Sequence, residues 1–154
     1  MRREFAKQLF ELMEKDENII LITADLGYGM LDKIRDTFPD RFYNTGAAEV
    51  AMMGIAVGLA LKGKTPIVYS ITPFLLYRPF EIIRNYINHE KIPVIMVGGG
   101  RNNDYDAGIS HDASDHEILK IFTNIKFIVP KNKEDFNLKD IIDSNKPTYL
   151  NLSR

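Results

Sequence analysis

One acid stands where acids are rare. Glu49 lies inside Asn44-Thr-Gly-Ala-Ala-Glu-Val-Ala-Met-Met-Gly-Ile-Ala-Val-Gly-Leu-Ala-Leu61, a run otherwise made almost wholly of small and apolar residues. A carboxylate is expensive to bury unless a partner compensates it, and Ala47, Ala48, Val50, Ala51, Met52 and Met53 offer none. A desolvated acid suits proton transfer to a bound ligand. The plainer alternative is a first-turn acid favoured by a helix dipole.

Four further stretches could carry chemistry. Asp25, in Ala24-Asp-Leu-Gly27, is a candidate site acid or a turn and capping residue. Phe74, Tyr77 and Phe80 are spaced by three, as for core packing on one helix face, but Pro73 and Pro79 argue against a continuous helix. Some of these rings therefore line a ligand loop. Gly98-Gly-Gly-Arg101 reads as an anion nest or, by default, a flexible loop. In Gly108-Ile-Ser-His111, followed by Asp112, Asp115 and His116, the spacing matches no defined metal site. His111 alone remains a functional candidate, and no metal ligands are assigned.

These residues need elements to position them. Phe5, Leu9, Leu12 and Met13 predict an amphipathic helix over 2–15, and Ile19-Ile-Leu-Ile-Thr23 a buried strand. Helices are predicted over 30–37 and over 47–62, the latter capped by Gly63. A strand follows over 65–70, and then a helix starting at Pro79. Strands over 92–97, 127–129 and 148–152 alternate with helices over 114–121 and 132–142. The strands are continuous apolar runs, which predicts a three-layer α/β/α sandwich with a mostly parallel sheet. Ligands then bind beyond the carboxyl ends of the strands. The stretches Asp25–Gly29, Asn44–Glu49, Ser70–Tyr77 and Gly98–His111 fall there.

Composition narrows the classes. The 154 residues, 45% hydrophobic and 27% charged, fit one globular domain over 1–154. A net charge of −1 gives no reason to expect a nucleic-acid or membrane-surface partner. No apolar run reaches the roughly 18 residues of a membrane span. With no cysteine, disulfides and thiolate chemistry are excluded, and a cytoplasmic location is expected. The phosphate-binding loop Gly-x-x-x-x-Gly-Lys-Ser/Thr, the dinucleotide Gly-x-Gly-x-x-Gly and the hydrolase Gly-x-Ser-x-Gly are all missing.

The ordered motifs, taken together, resemble a family. They are Arg2-x-x-Phe5, Thr23-Ala-Asp-Leu-Gly27, Phe38-Pro-Asp-Arg-Phe-Tyr-Asn-Thr-Gly-Ala-Ala-Glu49 and Met53-Gly-Ile-Ala-Val-Gly-Leu-Ala60. Phe74 to Arg84, Gly108-x-Ser-His111, Ile128-Val-Pro130 and Tyr149-Leu-x-Leu-Ser-Arg154 complete the set. This order resembles the pyrimidine-binding domain of transketolase-type thiamine diphosphate enzymes, a group that includes deoxyxylulose-phosphate synthase. The resemblance implies the pyrimidine module of the thiamine diphosphate-binding fold. It implies that Glu49 hydrogen-bonds N1′ of the cofactor's aminopyrimidine, promoting the imino form whose N4′ takes the proton from C2 of the thiazolium. It further implies that Phe74, Tyr77 and Phe80 pack around the pyrimidine, with Phe74 nearest. Asp25 would lie by the cofactor at a subunit interface, and His111 would face the substrate channel. Arg2 and Arg154 would hold a sugar phosphate, a task that suits the bidentate guanidinium.

Departures from the pattern are informative. A histidine and an acid that contact donor hydroxyls in transketolases have no match, the nearest positions being Gly99 and Ala107. The Gly-Asp-Gly motif that binds diphosphate through Mg²⁺ is absent from the sequence. The resemblance therefore implies half of a cofactor site, with diphosphate and Mg²⁺ held by a separate diphosphate-binding subunit carrying Gly-Asp-Gly. The expected assembly has two copies of each chain, acts as a transketolase-like transferase on a sugar phosphate, and leaves this chain inactive alone. Two alternatives stand beside it: a subunit of a thiamine diphosphate-dependent 2-oxoacid decarboxylase, and a non-catalytic flavodoxin-like binding module.

Overall fold

The computed structural model describes residues 1–100, 106–108, 110–111 and 118–153. Six strands form one sheet: β1 (Ile19–Thr23), β2 (Phe42–Asn44), β3 (Thr65–Ile71), β4 (Ile95–Gly99), β5 (Lys126–Ile128) and β6 (Thr148–Leu152). Their order is β2-β1-β3-β4-β6-β5 and every pairing is parallel. All carboxyl ends therefore lie along one edge of the sheet.

Side chains alternate across each strand, so one strand feeds two cores. Ile20, Ile22, Val68, Met96 and Tyr149 point to one face, and Ile19, Leu21, Ile67, Val97 and Leu150 to the other. Both faces are covered, which is why β1, β3, β4 and β6 read as unbroken apolar runs. On the second face pack α1 (Arg2–Met13) and α2 (Asp32–Thr37). Phe5, Leu9 and Met13, four residues apart, form the buried stripe of α1. On the first face pack α3 (Glu49–Leu61), α4 (Thr72–Tyr77) and the turn α5 (Phe80–Ile82), which runs on as a π-helix over Ile83–His89. A last helix, α6 (Leu138–Asp143), returns to the second face. There Gln8 Oε1 accepts from the Leu138 N–H at 2.8 Å, tying α6 to α1. Among the described residues no helix is long and apolar enough to cross a membrane.

The three-layer reading holds, and several element boundaries move for local reasons. The strand β2 at Phe42–Asn44 is unanticipated; it is short, half-exposed and lies at the sheet edge. The predicted strand over 92–97 sits instead at Ile95–Gly99. Gly98 and Gly99 are thus buried strand residues and not a flexible loop or nest. The predicted helix over 132–142 shrinks to α6. Asp135 accepts from the Lys131 and Asn132 N–H groups, each at 2.8 Å, holding a turn before the helix. Asn137 then caps α6 by accepting from the N–H groups of Lys139 and Asp140. Gly63, at φ +78, closes α3 as expected: its N–H donates to Ala60 O and that of Lys64 to Leu59 O, each at 3.0 Å. The first half of the helix expected over 114–121 lies outside the described residues.

Candidate functional site

The chain leaves β1 for β2 on one side and later lays β3 on the other side of β1. Such a reversal opens a crevice beyond the carboxyl ends of the strands. Three segments enter it: Ala24–Gly27 after β1, Thr45–Ala48 after β2, and α4 after β3.

The second segment delivers Glu49. Thr45 N–H donates to Thr23 O at 2.9 Å, holding the chain against β1. Gly46 turns at φ +69, in the left-handed region that glycine accepts without strain. Ala48, the N-cap of α3, has no capping side chain. Glu49 follows in the first helical turn and is 2% exposed.

The third segment supplies its partner. Arg78, just after α4, places Nη1 2.8 Å from Glu49 Oε1 and 2.7 Å from Oε2. Its guanidinium lies over the Phe74 ring, 3.7 Å from the centroid. Phe74 meets the His111 ring edge-on, with centroids 4.9 Å apart. Ser110 Oγ lies 2.9 Å from His111 Nδ1, and the His111 N–H donates to Gly108 O at 2.9 Å. Glu49, Arg78, Phe74 and His111 therefore form one continuous line of contacts.

Buried hydrogen bonds fix where α4 begins. Tyr149 donates its hydroxyl to Thr72 Oγ1 at 3.0 Å, and Thr72 donates to Gly100 O at 3.0 Å. This relay ties α4 to the end of β4. Pro73 sits in the first turn of α4, where its missing N–H costs nothing. Pro79 ends that helix, leaving Arg78 at the junction with α5.

A second cluster forms on the β1–β2 side. Asn44 Oδ1 accepts from the Asp25 N–H at 2.9 Å and the Gly46 N–H at 3.0 Å. These bonds hold Asp25 in a left-handed conformation, φ 55, that a non-glycine residue rarely adopts. Tyr28 donates its hydroxyl to Asp25 Oδ1, and that bond to a carboxylate raises the phenol's pKa above its ordinary value. Arg2, Arg3, Tyr28 and Tyr69 line a neighbouring cavity of about 560 Å³.

Of the residues singled out from sequence, the structure brings Glu49, Phe74 and His111 together. Asp25 sits in the Asn44–Tyr28 cluster, next to the cavity lined by Arg2. Tyr77 lies on the outer side of α4, 46% exposed. Phe80 turns into the core against Phe122, with centroids 5.6 Å apart. Arg101, Asp112, Asp115, His116 and Arg154 lie outside the described residues. Three residues escaped sequence reasoning. Arg78 had one signal, as the single cation between Phe74, Tyr77 and Phe80. Asn44 and Tyr28 had none beyond their places at strand ends.

The arrangement offers a buried acid and an aromatic face, both engaged by the flat Arg78 guanidinium, a pairing that also suits a flat nitrogen heterocycle. Among the described residues, no group of three or more His, Cys, Asp or Glu side chains could hold a metal ion.

Comparison with known proteins identifies the family and the fold. The family model for the transketolase pyrimidine-binding domain matches residues 1–154. A Methanocaldococcus jannaschii protein assigned as a transketolase C-terminal section is 32% identical, matching 100% of this chain and 50% of its own length. The 1-deoxy-D-xylulose-5-phosphate synthase of Methylacidiphilum infernorum is 31% identical over 85% of this chain and 21% of its own. A split-gene transketolase solved as an inactive β4 tetramer superposes with a TM-score of 0.85 and 30% identity, covering 99% of this chain and 51% of that one. The chain thus spans about half the length of the transketolase C-terminal section and of the split-gene transketolase chain, and about a fifth of the synthase.

Proposed function

Because the chain belongs to the transketolase pyrimidine-binding domain family, we propose that it is one subunit of a heteromeric, thiamine diphosphate-dependent enzyme that transfers a two-carbon ketol unit. The family and the synthase relatives imply thiamine diphosphate as cofactor. The observation that carries the reading is Glu49, buried at the mouth of the crevice and linked through Arg78 to the face of Phe74.

The side chains fit half of that cofactor. An aminopyrimidine needs an acid opposite a ring nitrogen and an apolar face to stack on, and Glu49 and Phe74 supply them. A magnesium diphosphate needs several hard oxygen ligands, and neither such a cluster among the described residues nor a Gly-Asp-Gly motif is present. In this reading a partner chain carries the diphosphate and Mg²⁺, which the similarity to a transketolase C-terminal section and to a split-gene transketolase supports.

The surface of α3 supports a partner. The helix is apolar nearly all round, as buried helices are, yet Val50, Ile55 and Leu61 are 52%, 45% and 67% exposed. Gly54 and Gly58 stand on the same exposed side and allow close approach. That a similar split transketolase chain forms an inactive tetramer of one subunit type fits a need for a second kind of chain, two copies of each.

When bound, thiamine diphosphate would supply the nucleophilic carbon that ketol transfer needs. Glu49 holds a proton against the pyrimidine nitrogen and so sets the ring's tautomer. Phe74 orients the ring from one face. Met52 and Met53, fully buried beside Glu49, keep water from that hydrogen bond. His111, against Phe74, faces the substrate channel, and Asp25 lies at the subunit boundary. Arg2 and Arg154 take the sugar phosphate. Tyr77 meets the partner side, while Phe80 supports the pocket from the core.

The test is reconstitution. The chain is combined with a Gly-Asp-Gly-bearing partner, and ketose phosphates and 2-oxoacids are screened as donors. Ketol transfer by the pair and by neither chain alone supports the proposal. Turnover of a ketose by this chain alone overturns it, and exclusive use of 2-oxoacids moves the assignment to a decarboxylase.

A further inference from the structure

We infer that Arg78 is a displaceable stand-in for the aminopyrimidine, which closes the pocket of the free chain and must swing out before the ring can enter. The inference rests on the aminopyrimidine reading of the pocket. Arg78 makes the two contacts that ring would need. Its Nη1 lies 2.8 and 2.7 Å from the Glu49 oxygens, and its planar head stacks on Phe74 at 3.7 Å. A guanidinium can do both at once because it is flat, cationic and weakly hydrated. Glu49 and Phe74 cannot serve Arg78 and a heterocycle together.

The geometry of the pair allows release. A single nitrogen bridges both carboxylate oxygens, so this is not the two-nitrogen fork that makes arginine–carboxylate pairs strong. Arg78 is 44% exposed whereas Glu49 is 2% exposed. The arginine can therefore turn into water with little loss of solvation. Glu49 cannot, and without a partner it would be a buried unpaired charge. Arg78 thus keeps Glu49 compensated until a ligand replaces it. Its backbone, at φ −63 and ψ −51, is relaxed, so rotation of the side chain suffices.

A pocket occupied by its own side chain binds ligand more weakly in proportion to the open fraction. The probe is 4-amino-5-hydroxymethyl-2-methylpyrimidine, titrated by NMR into the full chain, into Arg78→Met and into Glu49→Gln. Arg78→Met should bind about fivefold or more tightly than the parent, corresponding to a pocket open one-fifth of the time or less; Glu49→Gln should lose binding. A purely supporting role for Arg78 predicts the reverse. Equal or weaker binding by Arg78→Met, with binding still dependent on Glu49, overturns the stand-in and leaves the aminopyrimidine reading intact. No binding by any of the proteins overturns both. Thermal unfolding is the companion measurement, in which Glu49→Gln should recover at least half of the melting temperature lost in Arg78→Met. Failure of that recovery shows that the two side chains do not pair, and overturns the inference even if Arg78→Met misfolds.

Discussion

Replacing Gly98 by alanine tests whether a buried relay positions the site. Gly98 lies in β4, opposite Ser70 of β3 and Asn151 of β6. A methyl group there would come within 2.5 Å of Tyr149 Oη, 2.6 Å of Thr72 Oγ1 and 3.0 Å of Tyr149 Cε2. Tyr149 and Thr72 are both 0% exposed, so neither can yield into solvent. Moving them breaks the bonds from Tyr149 to Thr72 and from Thr72 to Gly100. Overpacking costs about 1–3 kcal/mol, and two lost hydrogen bonds about 1 kcal/mol each. The sum, roughly 3 kcal/mol or more, corresponds to a melting temperature lower by about 6–12 °C in a domain of this size. Circular dichroism during heating measures it. In a Thr72→Ala, Tyr149→Phe background both obstructing oxygens are gone, and Gly98→Ala should cost less than half as much. A variant melting within about 1 °C of the parent, or one whose full cost persists in that background, refutes the reasoning. Phe74 lies two residues beyond Thr72, so Gly98→Ala should also weaken aminopyrimidine binding.

Other outcomes follow from particular contacts. Gly27→Ala must hold φ +91 and would put a methyl 2.3 Å from Leu31 Cδ1; it should cost about 2 kcal/mol or more, read by urea unfolding. Asn137→Ala removes the cap of α6 and should cost about 1 kcal/mol, a loss of about 2–4 °C on heating. Ile55→Asp changes a 45% exposed residue and should leave stability within about 0.5 kcal/mol while abolishing assembly with the partner. Light scattering reads that mass, and an unchanged heteromer contradicts the assignment of the α3 face.

The sheet was legible because its strands are buried on both sides and so advertise themselves as apolar runs, as in Ile19-Ile-Leu-Ile and Thr148-Tyr-Leu-Asn-Leu. The strand at Phe42–Asn44 was not, because an exposed three-residue edge strand is held by its register to Leu21, Ile22 and Thr23. Gly98 and Gly99 look like a loop because sequence cannot show that Tyr149 and Thr72 fill the space a side chain would take. Glu49 was legible from cost alone, an acid among alanines and methionines. Arg78 was not, because its link to Glu49 spans 29 residues and depends on where Pro79 ends α4. Phe80 parts from Phe74 at the same break, packing on Phe122 while Phe74 meets His111.

The most direct test of the account is the turnover of a ketose phosphate by the reconstituted complex carrying Glu49→Gln. Glutamine keeps the size of Glu49 but cannot exchange a proton with the ring nitrogen. The account predicts a rate lower by about 10²-fold or more, with the heteromer assembled at its normal mass. Turnover close to that of the parent complex would contradict it.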